Sequence, residues 1–155
     1  MSGNRRILSV VMFLLGVALV LSAGAGANGI TPPQDSSTGA TPTSGEYAIV
    51  RAVNVVRARN GLPGLQVGRA LTRAARLHSA DMARRGYFDH GAFVQRLRSF
   101  GVRAPYIGEN LAYGGPGLPA RTVVQMWMTS PSHRQIMLER NFQRIGVAWT
   151  PMQQP

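Results

Sequence analysis

The chain contains no cysteine and no lysine. Without cysteine there is no disulfide, no thiolate nucleophile and no thiolate-held zinc or iron–sulfur centre. A lipid-modified N-terminal cysteine is excluded for the same reason. Without lysine, all 17 basic side chains are arginines, set against only 6 acids, so the formal charge is +11. The 6 acids and 3 histidines are therefore the whole stock of carboxylate and imidazole side chains for acid–base work or metal ligation. Long hydrophobic runs are scarce too. The one strongly apolar stretch, Ile7 to Leu21, has 15 residues, short of the ~20 that span a bilayer.

That stretch follows Arg5 and Arg6 and leads into the small residues Ser22 to Ala27. A basic start, an apolar middle and a small-residue exit make the pattern of a secretory signal, with Ala25 or Ala27 fitting the cleavage position. The expected product is secreted or extracytoplasmic. The alternative is an uncleaved N-terminal anchor, since Ser22 to Ala27 can lengthen the apolar run. Residues 28–44 are rich in Pro, Thr and Ser and lack apolar periodicity, so they read as a disordered linker. One domain is expected over 45–150, with 151–155 as a tail; the total of 155 residues allows little more.

Within that domain helices come first. Thr43 and Glu46 have capping-box spacing, and Tyr47, Val50, Val53, Asn54 and Arg57 recur at intervals of three and four up to Asn60. Gly61-Leu62-Pro63-Gly64 is a turn. A second helix is predicted from Gly68 to Arg85 with Leu71, Ala74, Ala75, His78 and Met82 inward. A third runs from Ala92 to Phe100 with Phe93 and Leu97 inward. Ile107 to Tyr113 reads as extended. A fourth helix covers Ala120 to Thr129, burying Val123, Val124 and Trp127. His133 to Leu138 adds a helical turn, and Phe142 to Trp149 reads as a strand with Phe142, Ile145, Val147 and Trp149 inward. Helices covering a small sheet, without repeats, argue against a parallel βαβ stack.

His78 falls on the apolar stripe of the second helix, where a satisfied core histidine is the plain reading. His90 and His133 stand at helix boundaries, in Tyr87-Phe88-Asp89-His90-Gly91 and Ser130-Pro131-Ser132-His133-Arg134. Glu109 lies in Gly108-Glu109-Asn110-Leu111-Ala112, a segment that otherwise looks buried, and a buried carboxylate needs a partner. Two imidazoles and one carboxylate suit either a catalytic zinc or a metal-free proton relay. Spacing alone does not bring them together. A serine hydrolase lacks its Gly-x-Ser-x-Gly element; Ser130 and Ser132 are simpler as caps around Pro131. A glycosidase needs a second acid facing Glu109, and Asp81, Asp89 and Glu139 read as surface or capping groups. The arginine surplus suits an anionic envelope polymer or lipid, or reflects composition alone. No nucleic-acid motif is present, and no obligate protein partner is implied.

Six segments, taken in order, resemble the CAP superfamily (SCP/PR-1-like domain) in its compact bacterial secreted form. They are Asn54-x-x-Arg57 with Gly61-Leu62-Pro63-x-Leu65; His78-Ser79-x-Asp81-Met82-Ala83; Gly86-Tyr87-Phe88-x-His90; Gly108 to Ala112; Trp127-Met128-x-Ser130-Pro131-Ser132-His133-Arg134; and Phe142-x-x-Ile145-Gly146-Val147. Together they cover residues 47 to 150 in the family's order. The resemblance implies an α+β fold, an α-β-α sandwich with a small, mainly antiparallel sheet. It also implies a cavity of two histidines and acids that binds a divalent metal such as zinc in some members. By position His90 and His133 are the cavity histidines and Glu109 its first acid; they are the catalytic and metal-ligand candidates. Where many eukaryotic members carry a second glutamate, this chain has Ser130.

Members of the family share no agreed reaction. A non-enzymatic binding or structural role at the envelope or outside the cell is expected. The alternatives are a metal-assisted, peptidase-like hydrolase using His90, Glu109 and His133, and a lipid-binding module. Bacterial relatives continue past the Ile-Gly-Val strand into a final aromatic-rich strand, whereas only six residues follow Trp149 here, two of them proline. The sheet is therefore expected to lack its usual last strand and to leave an edge open to self-association.

Overall fold

The computed structural model describes residues 6–13, 41–114 and 117–150, the first of these as backbone. In chain order the elements are β1 (Arg6–Phe13), α1 (Ser44–Arg59), β2 (Gln66–Val67), α2 (Arg69–Arg85), α3 (Phe93–Ser99), β3 (Asn110–Gly114), α4 (Ala120–Thr129), α5 (Pro131–Met137) and β4 (Arg144–Thr150). The cleavage positions Ala25 and Ala27, most of the 28–44 linker and the 151–155 tail lie outside the described residues.

α1 begins as its sequence dictates. The Thr43 hydroxyl accepts from Glu46 N–H at 3.3 Å while the Glu46 carboxylate accepts from Thr43 N–H at 2.7 Å, closing a capping box. Glu46 also takes the Arg76 guanidinium at 2.6 Å, which ties the start of α1 to α2. The buried stripe of α1 is Glu46, Ile49, Val50, Val53 and Arg57. It is rotated from the predicted one: Tyr47 is exposed, and Ile49 takes the inward place.

Asn54 and Arg57 are staples. Asn54 holds Leu65 at both backbone groups, at 2.7 and 3.0 Å. Arg57, fully buried, donates to the carbonyls of Pro63, Met137, Glu139 and Phe142 at 3.0–3.2 Å. One side chain thus joins α1 to the following turn, the end of α5 and the approach to β4. Burial pushes this guanidinium below its ordinary value, and the nearby Glu139 charge acts in the opposite direction.

β4 runs through the middle of the molecule, and its alternation divides the core. Ile145 and Val147 join Ile49, Val50, Val53, Val123, Val124, Trp127 and Met137 on one face. Ala148 joins Leu71, Ala74, Ala75, Leu97 and Val102 on the other. Gly146 lies on the α2 side, where an added Cβ would sit 2.2 Å from the Leu71 carbonyl carbon. Glycine is what lets the helix backbone approach the strand. Phe142 enters the first core from the turn before β4, not from the strand itself.

The sheet order is β2-β4-β1-β3, and it corrects the expected fold class. Among the described residues of 41–150, the sole strand pairing is parallel, Gln66–Val67 with Arg144–Ile145. A mainly antiparallel sheet is therefore not what this domain builds by itself. The physical reason is the connection: helices α2 to α5 lie between β2 and β4, a crossover that returns the chain in the same direction. Antiparallel pairing enters only through β1, which lies between β4 and β3. No strand follows β4 among the described residues, yet β4 is not an open edge, since β2 and β1 lie on either side of it. β1 occupies residues that also carry the export-signal pattern.

Candidate functional site

The site assembles where the loop after α2, the face of α3 and the start of β3 converge. α2 ends at Gly86, whose left-handed backbone (φ 68°) turns the chain into Tyr87–His90. Gly91, at φ 54°, reverses it again, and its N–H donates to the Asp89 carboxylate. His90 is thereby held at the rim, with its side chain about half exposed.

Glu109 immediately precedes β3 and is almost completely buried, its side chain 1% exposed. Three groups surround it. His90 Nδ1 lies 2.8 Å from Oε1. Arg96 Nη2, from α3, lies 2.6 Å from Oε2. His78 Nε2 lies 4.0 Å from Oε1. Beside a guanidinium the carboxylate accepts, so Nδ1–H of His90 is the donor and Nε2 is the acceptor of the neutral ring. Arg96 also donates to the His90 carbonyl at 3.2 Å, so a single residue fixes both the carboxylate and the loop that carries the imidazole. Arg96 Nε is buried and has no hydrogen-bond partner among the described residues.

His78 is the satisfied core histidine that its position suggests. Its Nε2–H donates to the Asp89 carbonyl at 2.8 Å, and its ring meets Tyr87 edge-on at 6.1 Å. Burial, then the Arg96 charge, push its pKa below 6.5. Its position behind Glu109 nevertheless makes it part of the site's wall.

His133 lies on α5 and bonds to neither His90 nor Glu109 among the described residues. Its Nδ1 shares a 2.8 Å hydrogen bond with Ser130 Oγ, and its carbonyl accepts from Asn110 Nδ2 at 3.0 Å. Asn110 is fully buried and next to Glu109, so β3 links α5 to the carboxylate. Burial, and then the charge of His90, lower the His133 pKa. The influence of His90 on His133 is thus one of charge, without a direct bond. Of the three predicted residues, the structure joins His90 and Glu109 directly and keeps His133 one step away.

The donor set does not suit a divalent cation as arranged. It holds one carboxylate, and Oε2 of that carboxylate is bound to a guanidinium, so an incoming cation would have to displace Arg96. Among the described residues no group of three or more His, Asp or Glu side chains is placed to hold a metal ion. Sequence reading missed Arg96. The available signal was an arginine three residues after the inward Phe93 and one before the inward Leu97.

An open groove of about 1020 Å³ adjoins the site, with His78, Asp81, Arg84, Arg85, Asp89 and Arg96 in its wall. Asp81 pairs with Arg84 at 2.6 Å and Arg85 at 3.2 Å and accepts from the Tyr87 hydroxyl at 2.8 Å. Those contacts hold the Asp81 carboxyl below its usual range, the Tyr87 bond first.

With this geometry in place, comparison with known proteins identifies the class. Residues 50–154 match the CAP family, described as the cysteine-rich secretory protein family. The chain belongs to that family, although it has no cysteine itself. It is similar to the uncharacterized protein YkwD of Bacillus subtilis, 35% identical over 77% of this chain and 49% of YkwD. It is also similar to the uncharacterized membrane protein YlbC of the same organism, 33% identical over 68% of this chain and 31% of YlbC. The chain thus spans half or less of these relatives. In fold it resembles the crystal structure of an extracellular protein containing a SCP domain from Bacillus anthracis, with a TM-score of 0.62 and 24% identity over 83% of this chain and 45% of that one. No helix among the described residues is long and apolar enough to cross a membrane.

Proposed function

We propose that this chain is an extracytoplasmic CAP-domain binding protein that takes an anionic envelope polymer in the groove beside Arg96, without catalysing a reaction. The observation that carries this reading is the Arg96–Glu109 pair at 2.6 Å. Glu109 is the one acid in the cluster, and a carboxylate whose oxygens already accept from neighbours offers fewer lone pairs to a proton or a cation. Here one oxygen is bound to a guanidinium and the other to His90. The pair positions Arg96 in the groove wall, where Arg84 and Arg85 share Asp81, so that three arginines face two acids, Asp81 and Asp89. The chain's overall +11 charge acts in the same sense. The basic-apolar-small order of the N-terminus and the extracellular SCP-domain neighbour support a place outside the cytoplasm.

The test is binding of fluorescent polyphosphate to the purified full chain, followed by anisotropy. Binding should weaken steeply as salt rises and fall several-fold in Arg84→Ala/Arg85→Ala. Absence of binding at low salt overturns the reading. Zinc-dependent peptide hydrolysis that is lost in Glu109→Gln replaces it with the metal-assisted hydrolase of His90, Glu109 and His133. Lipid extracted from the purified protein replaces it with the lipid-binding module.

A further inference from the structure

β3 and β4 are not paired with each other; each is aligned against β1. Ser9 stands opposite Leu111 on one side and Ala148 on the other, and Val10 stands opposite Asn110 and Val147. The partners are the most buried stretches of their strands: Asn110, Leu111 and Ala112 in β3, and Ile145 to Ala148 in β4. Buried backbone N–H and C=O groups require partners, and no other described strand reaches β3. α2 lies across both β1 and β4, so the gap has a floor as well as two walls. The described geometry is that of strand addition, in which main-chain hydrogen bonds hold an extended segment in a gap of the sheet.

We propose that the gap between β3 and β4 is a strand-accepting site for an extended apolar peptide, and that its resident is this chain's own Arg6–Phe13. The site adjoins the polar cluster, because β3 starts at Asn110, directly after Glu109. Occupancy therefore fixes the strand that presents the buried carboxylate to Arg96 and His90. The same eight residues belong to the stretch with the export-signal pattern, so occupancy and removal of the segment exclude each other. Processing would open the gap, and an unprocessed chain keeps it filled. This inference does not depend on what the groove beside Arg96 binds.

The chain's lack of cysteine makes the register directly testable by disulfide trapping in the purified full chain with Met1 intact. Ile7 stands opposite Tyr113 in β3 and Thr150 in β4, and Tyr113 is about half exposed, so substitution there gives up its edge-on contact with Phe88 and no place in the core. Ile7→Cys with Tyr113→Cys, and separately Ile7→Cys with Thr150→Cys, should each close a bridge within one chain on mild oxidation. Ile7→Cys with Arg144→Cys, at the opposite end of β4, should not. In parallel, Val10→Pro removes a ladder donor at the middle of β1. It should speed hydrogen exchange of residues 110–112 and 146–149 by roughly tenfold or more while residues 49–53 of α1 keep their protection. Bridges that fail to form in both in-register pairs, form as readily in the offset pair, or form only between chains overturn the proposal. So does unchanged exchange in Val10→Pro.

Discussion

Replacing Arg57 by methionine removes the four-carbonyl staple while keeping most of its volume. The side chain is fully buried and donates to Pro63, Met137, Glu139 and Phe142 at 3.0–3.2 Å. A hydrogen bond from a charged donor contributes about 1.5–3 kcal/mol. Four do not add in full, because relaxation and water entry satisfy some of the orphaned carbonyls and the buried charge itself is removed. A loss of about 3–5 kcal/mol is expected, a large part of the roughly 5–15 kcal/mol that a domain has. Arg57→Lys should recover less than half, since an ammonium donates from one point and cannot span carbonyls from three segments. Equilibrium urea unfolding, followed by fluorescence of the buried Trp127, measures both variants. If Arg57→Met lies within about 1 kcal/mol of the parent at the same m-value, the staple is incidental and α1 is held by its apolar stripe alone.

Three further outcomes follow from single contacts. Glu109→Gln leaves the Arg96 guanidinium buried without its counter-charge and should cost about 2–4 kcal/mol; adding Arg96→Met should restore part of it, giving a coupling above about 1 kcal/mol in a double-mutant cycle of urea unfolding. Gly146→Ala drives a Cβ to 2.2 Å from the Leu71 backbone and should cost about 3 kcal/mol or more by forcing α2 away from β4, read as a collapse of the urea midpoint. His78 has a folded-state pKa held below 6.5 by burial and then by Arg96, so above pH 6.5 it costs nothing. As the pH falls below that value the unfolded chain takes up a proton that the folded chain refuses, and stability should decline by up to about 1.4 kcal/mol per pH unit; His78→Gln should flatten that decline between pH 6.5 and 5.

The helices were legible because their signals are local. The Thr43–Glu46 box, the stop at Gly86 and the apolar spacing of α2 and α4 all lie within a few turns of the residues they govern. The rotated stripe of α1 shows where this fails. Tyr47 and Ile49 are both apolar enough to face inward, and only packing against α4 and β4 decides between them. The sheet was less legible still. β2 is two residues long, too short to show alternation, and its parallel pairing depends on β4 at the far end of the chain. A continuous apolar run such as Ile7 to Phe13 has no period, and it fits a signal helix and a strand with neighbours on both sides equally well.

The candidate site divides along the same line. Glu109 could be picked out because a carboxylate within an apolar segment demands a partner, and that demand is visible in sequence. Which partner answers it is not. The two histidines were the obvious choices by chemistry, but an imidazole near neutral pH is a weak and conditional counter-charge, whereas a guanidinium is always charged and can bind through two nitrogens. Arg96 supplies that, and because it also holds the His90 carbonyl it positions the imidazole that sequence reasoning placed first. We expect this arginine to weigh on metal binding more than the absent second glutamate at Ser130 does. With Ser130 alone changed, two histidines and a free carboxylate would still make three ligands. With Arg96 on Oε2, the carboxylate is neutralised from within, and a cation at the site must overcome both the lost pair and the repulsion of the displaced guanidinium. A zinc titration of Arg96→Met therefore separates the two causes. If the arginine is what excludes the metal, the variant should bind zinc at least tenfold more tightly than the parent by calorimetry. Equal and weak binding by both would instead assign the deficit to the distance of His133 and the missing glutamate.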